Sequence, residues 1–276
     1  MLRRVFFVLI ILILGAGFYF FYPREKSMIE KTKTKLEIAP EELKKKSEKS
    51  QETEIPEREI SIITVYDNYQ VSSQLKTGWG FSCLIKTENQ SLLFDTGADS
   101  DILLSNMEKL GVNPKEIDFV FISHLHQDHI GGLPGILRLK PELKVYQPDS
   151  FSKLTEIVDG IYTTGPLGNE IREQSLIIKS EKGLIIVTGC AHSGIVNIIK
   201  KTKEMFPEEK IYLVIGGFHL FEASDSQVKN IIREFKELGV QKVAPCHCSG
   251  DKTRLLFEEE YQENFINNGV GKIINI

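Results

Sequence analysis

Apolar and polar positions alternate through EISIITVYDN, and again through GFSCLIKT (80–87) and SLLFDTG (91–97), with a polar turn, ENQ, between the last two. Alternation with a period of two predicts strands, and the short turn predicts an antiparallel pair. The period then lengthens. DSDILLSNMEKLG (99–111) has helical spacing, with Asp or Ser as an N-cap and Gly111 at its end. DFVFISH (118–124) is a nearly unbroken apolar run, suited to a strand buried on both faces. The same style returns later in the chain. SLIIKS and GLIIVTGC (175–190) predict a hairpin around Glu181-Lys182-Gly183, followed by a helix over IVNIIKKTKEMF (195–206). KIYLVIGG (210–217) is a second buried strand, SDSQVKNIIREFKELG (224–239) a capped helix ending at Gly239, and QKVAPCH (241–247) another strand. No strict repeat is present. Two mixed β-sheets packed face to face with helices outside, a four-layer αβ/βα sandwich of the α/β class, accommodate this order.

The pattern differs before residue 60. MLRRVFFVLIILILGAGFYFFY (1–22) holds 18 uncharged residues from Val5 to Tyr22, enough to cross a bilayer core as a helix. It reads as a single-pass transmembrane or signal anchor through residues 5–22, with cleavage near Gly15-Ala16-Gly17 and burial as a core helix as alternatives. The aromatic cluster Phe18–Tyr22 suits a membrane interface. Arg3 and Arg4 point to a cytoplasmic N-terminus and an extracytoplasmic domain, while Arg24, Lys26, Lys31, Lys33 and Lys35 pull the other way. Residues 23–59 carry ten basic and ten acidic residues, too little apolar surface to fold, and read as a charged flexible stalk. Residues 60–276 are the globular domain.

The whole chain carries a net charge of −4, so the basic footprint of a nucleic-acid-binding protein is absent. All six histidines and all four cysteines fall in the globular domain. Each histidine follows a predicted strand: His124, His126 and His129 in FISHLHQDHIGG (121–132), His192 in TGCAHSG, His219 in IGGFHL and His247 in APCHCSG. Imidazole and carboxylate are ligands of zinc and similar transition metals. In H-x-H the two rings of an extended stretch share one side, and Asp128 with His129 lies a turn further on. Two cations held roughly 3.5–4 Å apart activate water and polarise a carbonyl or phosphoryl oxygen.

At these motifs the chain resembles the metallo-β-lactamase-fold hydrolases. The resemblance runs through FDTG (94–97), HLHQDH (124–129), His192 and His247, across most of residues 60–276. It implies two divalent cations, zinc with manganese or iron as alternatives. His124, His126 and His192 would hold one, and Asp128, His129 and His247 the other. Asp95 would orient the ligand loop from behind. The resemblance further implies a metal-bound hydroxide, with Asp128 orienting it. GCAHSGIVNII, IGGFHL and PCHCSG resemble a narrower branch, the 7,8-dihydropterin-6-methyl-4-(β-D-ribofuranosyl)aminobenzene-5′-phosphate synthase-like proteins, and imply a small, phosphorylated substrate. Membrane-tethered hydrolysis of a phosphoester, ester, lactone or amide is the expected function. A pterin or phosphoribosyl-type synthase and a non-catalytic metal-binding sensor are the alternatives. Flavodiiron, β-lactamase and nucleic-acid-processing relatives fit less well: His126 stands where the first would carry Glu, and the second lacks its cysteine ligand at GGFH. The third would need an inserted domain and a basic surface.

One departure stands out. Dinuclear members carry a bridging aspartate where this chain reads Gly216-Gly217-Phe218-His219. His219 is therefore expected to replace that ligand, to donate to a substrate oxyanion, or to act as general acid, the last two together being preferred. Cys246 and Cys248 are expected to be buried small residues facing away from His247. Ser193 and Ser249 are candidates for holding an anionic substrate, and Trp79 for walling the pocket. Oligomeric state is not indicated.

Overall fold

A computed structural model of the chain describes residues 59–276. Nearly all of the stalk and the whole apolar run at 5–22 lie outside the described residues; among those described, no helix is long and apolar enough to cross a membrane.

The described chain opens with β1 (Ser61–Tyr66), β2 (Ser82–Lys86) and β3 (Ser91–Phe94), then α1 (Ser100–Lys109) and β4 (Phe119–Phe121). Two short helices, α2 (Gln127–Ile130) and α3 (Leu133–Leu139), precede β5 (Lys144–Tyr146), β6 (Thr155–Val158) and β7 (Ile161–Thr163). The second half holds β8 (Leu176–Ser180), β9 (Gly183–Thr188), α4 (Ile195–Met205), β10 (Ile211–Gly217) and α5 (Asp225–Glu237). It closes with β11 (Val240–Cys246), α6 (Asp251–Tyr261) and β12 (Ile273–Asn275).

Among the described residues the strands form two six-stranded sheets, ordered β12-β1-β2-β3-β4-β5 and β11-β10-β9-β8-β7-β6. Both are mixed: β3, β4 and β5 run parallel, as do β9, β10 and β11, and the remaining neighbours are antiparallel. Ile62, Ile85, Phe94 and Phe121 of one sheet meet Ile178, Val187, Leu213 and Ile215 of the other in a single apolar layer. α1 and α3 cover the outer face of the first sheet through Leu103, Met107 and Ile136, which pack with Leu84, Leu93 and Val120. α4, α5 and α6 cover the second through Ile198, Ile232, Phe235 and Phe257. Each sheet therefore buries both faces, the condition for unbroken apolar runs such as FVF and GLIIVT. This is the expected four-layer αβ/βα sandwich.

Local signals set the element ends. Asp99 caps α1, its carboxylate accepting from the N–H groups of Asp101 and Ile102. Ser224 and Gln227 form a reciprocal capping box on α5. Such a cap contributes about 1 kcal/mol. The run 118–124 is a strand only over Phe119–Phe121, because the chain must leave the sheet to present the residues that follow.

Candidate metal centre

The parallel strands β3, β4, β9, β10 and β11 all end at one edge of the sandwich, where such layers leave a crevice. Every histidine of the chain lies in the segments that follow them, His129 in α2 and His247 in a 3-10 turn. Among the described residues five non-glycine residues have positive φ, and four stand at these strand ends: Asp95, Ala191, His219 and His247. Left-handed backbone costs roughly 1–3 kcal/mol for such residues, so the surrounding contacts must hold it in place.

Those contacts are specific. Asp95 is fully buried; its Oδ1 accepts the Ser123 N–H at 2.7 Å, and its Oδ2 accepts the Ser123 hydroxyl at 2.7 Å and the His129 Nδ1–H at 2.6 Å. With its proton committed to Asp95, the Ser123 oxygen accepts from His124 Nδ1 at 2.9 Å. Asn68 Oδ1 accepts from His247 Nδ1 at 3.1 Å, while Asn68 Nδ2 donates to the His247 carbonyl at 3.3 Å. Three rings are thus fixed in one tautomer, with Nδ1–H turned outward and the Nε2 lone pair turned inward.

The inward side is crowded with acceptors. His124 Nε2 and His192 Nε2 face each other at 3.3 Å. Asp128 Oδ2 lies 3.3 Å from His247 Nε2 and 3.6 Å from His129 Nε2. His247 Nε2 is buried without a hydrogen-bond partner. A carboxylate oxygen facing two imidazole lone pairs, and an orphaned buried nitrogen, are unfavourable unless a cation lies among them. Imidazole, carboxylate and thiol together suit zinc or a related transition metal. The residues fit a divalent cation.

Among the described residues, two compact ligand groups result. Asp128, His129, Cys190 and His247 form one, and His124, Cys190 and His192 the other; in each, the ligand atoms lie within 4.8 Å of one another. His126 sits edge-on to His124 and His192, at 4.6 and 4.9 Å between ring centres, from the exposed side. A third group joins Cys190, His219 and Cys248.

The electrostatics follow the packing. Burial, with the neighbouring rings of His129, His192 and His126, pushes His124 far below its ordinary range. His192 falls to about 4 through burial and the proximity of His219 and His126. For Asp128, burial is outweighed by the proximity of His247 and His129, and its carboxyl stays well below the usual range. For His129, burial is outweighed by the charge and hydrogen bond of Asp95, which raise it.

Two expectations are corrected. Ser249 is fully buried, and its hydroxyl accepts the Phe218 N–H at 3.1 Å, so it braces the end of β10 and is closed to substrate. Cys248 does not face away in an extended strand. The chain turns into a 3-10 segment at His247–Ser249, which brings the Cys248 sulfur beside Cys190 and His219. Cys246 lies in the layer between the sheets, as expected. Ser193 stays beside His192 with its hydroxyl unpartnered. Trp79, half exposed, leans over His247 at 4.9 Å and meets Phe221 edge-on at 6.4 Å, forming one wall of the site. His219 is exposed, its ring 4.4 Å from that of His192.

Asn68, Ser123, Glu173 and Cys190 also serve the site. Ser123 and Cys190 sit within the quoted motifs, one residue before His124 and two before His192, and adjacency was their available signal. Asn68 and Glu173 are distant in sequence from the histidines they serve. Glu173 is buried; its Oε1 accepts the N–H groups of Cys190 at 3.0 Å and Ala191 at 2.7 Å, holding the loop that carries His192.

Fold and site define a class. The chain belongs to the metallo-β-lactamase superfamily, whose sequence profile matches residues 79–200. It is 31% identical to a 7,8-dihydropterin-6-methyl-4-(β-D-ribofuranosyl)-aminobenzene-5′-phosphate synthase of Methanocaldococcus jannaschii, over 78% of this chain and 96% of that one. An uncharacterised protein of the same organism is 30% identical, over 71% of this chain and 93% of its own. In three dimensions the chain resembles Tm1679, a metal-dependent hydrolase of the β-lactamase superfamily, at a TM-score of 0.68 and 27% identity, covering 79% of this chain and 99% of that one.

Proposed function

We propose that this protein is a metal-dependent hydrolase of a small phosphorylated, ester or lactone substrate. One cation would be held by His124, His126 and His192, and a second by Asp128, His129 and His247. The observation that carries this reading is the inward convergence of the His124, His129 and His247 Nε2 atoms, each fixed by an acceptor behind it. Divalent cations held there lower the pKa of a coordinated water towards neutrality and polarise a carbonyl or phosphoryl oxygen.

The chain's own residues supply the rest. Asp128, partly exposed between His129 and His247, accepts a hydrogen bond from the attacking water and fixes its direction. His219 stands at the exposed mouth, within reach of a leaving group or a developing oxyanion, and donates a proton to it. Trp79 and Phe221 form an apolar wall that positions the substrate and narrows access of bulk water. Ser193, beside His192, keeps a buried hydroxyl without a partner, which a change of rotamer would bring to an anionic substrate group. The reading includes tethering through residues 5–22, with the domain outside the cytoplasm, supported by the 18-residue uncharged run.

The test is a panel of chromogenic phosphodiester, phosphomonoester, ester and lactone substrates, assayed before and after chelation and metal resupply. Turnover that is lost on chelation, restored by metal, and reduced at least about 100-fold in Asp128→Ala supports the reading. Chelation-insensitive turnover, or none on any substrate, contradicts it.

The 31% identity to the Methanocaldococcus jannaschii synthase favours a second reading, in which the same site binds a pterin and a phosphoribosyl group for a synthase reaction. Pterin binding measured by fluorescence quenching, with no hydrolysis of the panel, selects it.

A further inference from the structure

We infer that Cys190 is a metal ligand shared by both halves of the site, its sulfur standing between the two cations as the anionic bridge. This rests on the metal-dependent reading above and deepens it.

Cys190 is the residue common to the two groups that divide the histidines. Its Sγ lies 3.3 Å from His129 Nε2 on one side, and it shares the second group with His124 and His192 on the other. The orphaned Nε2 of His247, a residue only 1% exposed, lies within 4.8 Å of the same sulfur.

The surrounding backbone is built to deliver the sulfur there. β9 ends at Thr188, and Gly189 runs so close to the Asp95–Ser123 pair that a Cβ would come within 2.0 Å of the Ser123 hydroxyl. Ala191 then takes a φ of 63°, and Glu173 fastens the N–H groups of Cys190 and Ala191 that lead into that turn. The neighbouring strand end, Gly216-Gly217-Phe218, offers no competing carboxylate. A side chain at Gly217 would strike the Gly189 carbonyl at 2.4 Å and the Cys248 sulfur at 2.7 Å, and Phe218 is buried under the helices. The end of β10 is closed to an acidic bridge, and the sulfur of β9's loop occupies the position between the groups.

Coordination breaks the S–H bond and forms sulfur–metal bonds; the proton leaves to solvent and no oxidant is needed. A thiolate bridge favours zinc, cobalt or iron over manganese, because thiolate is a softer ligand than carboxylate.

The test uses the full chain loaded with cobalt(II) under a phosphine reductant. Its readouts are cobalt bound per chain and the near-ultraviolet sulfur-to-cobalt charge-transfer band. Wild type is expected to bind about two ions and show the band. Cys190→Ala should lose the band and most of the second ion, and Cys248→Ala should keep both. Cys190→Asp restores an anionic bridge without sulfur, so it should recover the second ion without the band, which separates loss of a ligand from misfolding. Two ions bound by wild type with no band, or a band that persists in Cys190→Ala, overturns the role of Cys190 and leaves the hydrolase reading standing. No cobalt bound by wild type overturns both.

Discussion

The Oδ2 atom of Asp95 lies 2.6 Å from Nδ1 of His129, and both side chains are fully buried. This contact fixes which nitrogen of His129 faces the site, and the Ser123 hydroxyl on the same carboxylate fixes His124. One carboxylate thus sets the tautomer of a ring in each ligand group.

Asp95→Asn is expected to weaken metal binding by roughly 10–100-fold, since an amide accepts less well and brings N–H donors into a site built for acceptors. Competition against a chromogenic chelator measures it. Affinity equal to wild type would show that His129 needs no partner behind it.

Glu173 is a positioning residue. Glu173→Ala strips two buried N–H groups of their acceptor and should cost roughly 1–3 kcal/mol for each one orphaned. Glu173→Gln keeps an amide oxygen in place and should retain most of the stability and metal affinity. Urea denaturation of both variants decides this; equal losses would mean that the carboxylate charge, rather than its acceptor geometry, holds the Cys190–His192 loop.

Trp79→Ala removes a half-exposed ring that touches His247 and Phe221 but binds no cation. We expect unchanged metal content, a stability change of about 1 kcal/mol or less, and a several-fold rise in KM with kcat nearly preserved. A loss of metal would show that the ring props His247 and does not serve substrate.

In metal-free protein, His192 titrates at about 4 against an ordinary 6.5, and His124 lies lower still. Both take up protons more readily in the unfolded chain. Their contribution to stability is therefore full above about pH 6.5 and declines as pH falls towards 4. Asp67, buried and raised to about 6, acts in the opposite direction. The informative quantity is thus a difference: chelated His192→Asn should lose less stability than chelated wild type between about pH 7 and about pH 5. Identical losses would place the acid sensitivity elsewhere.

Much of this arrangement was legible in the chain. Period-two runs located β1 to β3, and continuous apolar runs located β4, β9 and β10, because strands buried on two faces tolerate few polar residues. The histidines read as a site because all six follow strands. Residues that act through tertiary contact left fainter marks. Nothing local marks Asn68 as the partner of His247, 179 residues away. Cys248 was misplaced because a strand was extended through a point where the chain turns. Ser249 was misread for a related reason: proximity to a ligand says nothing of which way a hydroxyl faces.

The most direct measurement is the metal content of the full chain by elemental analysis, after purification without chelator and resupply with zinc, manganese or iron. The account predicts about two ions per wild-type chain and about one in His247→Ala. One ion or none in wild type after resupply would contradict the two-cation site.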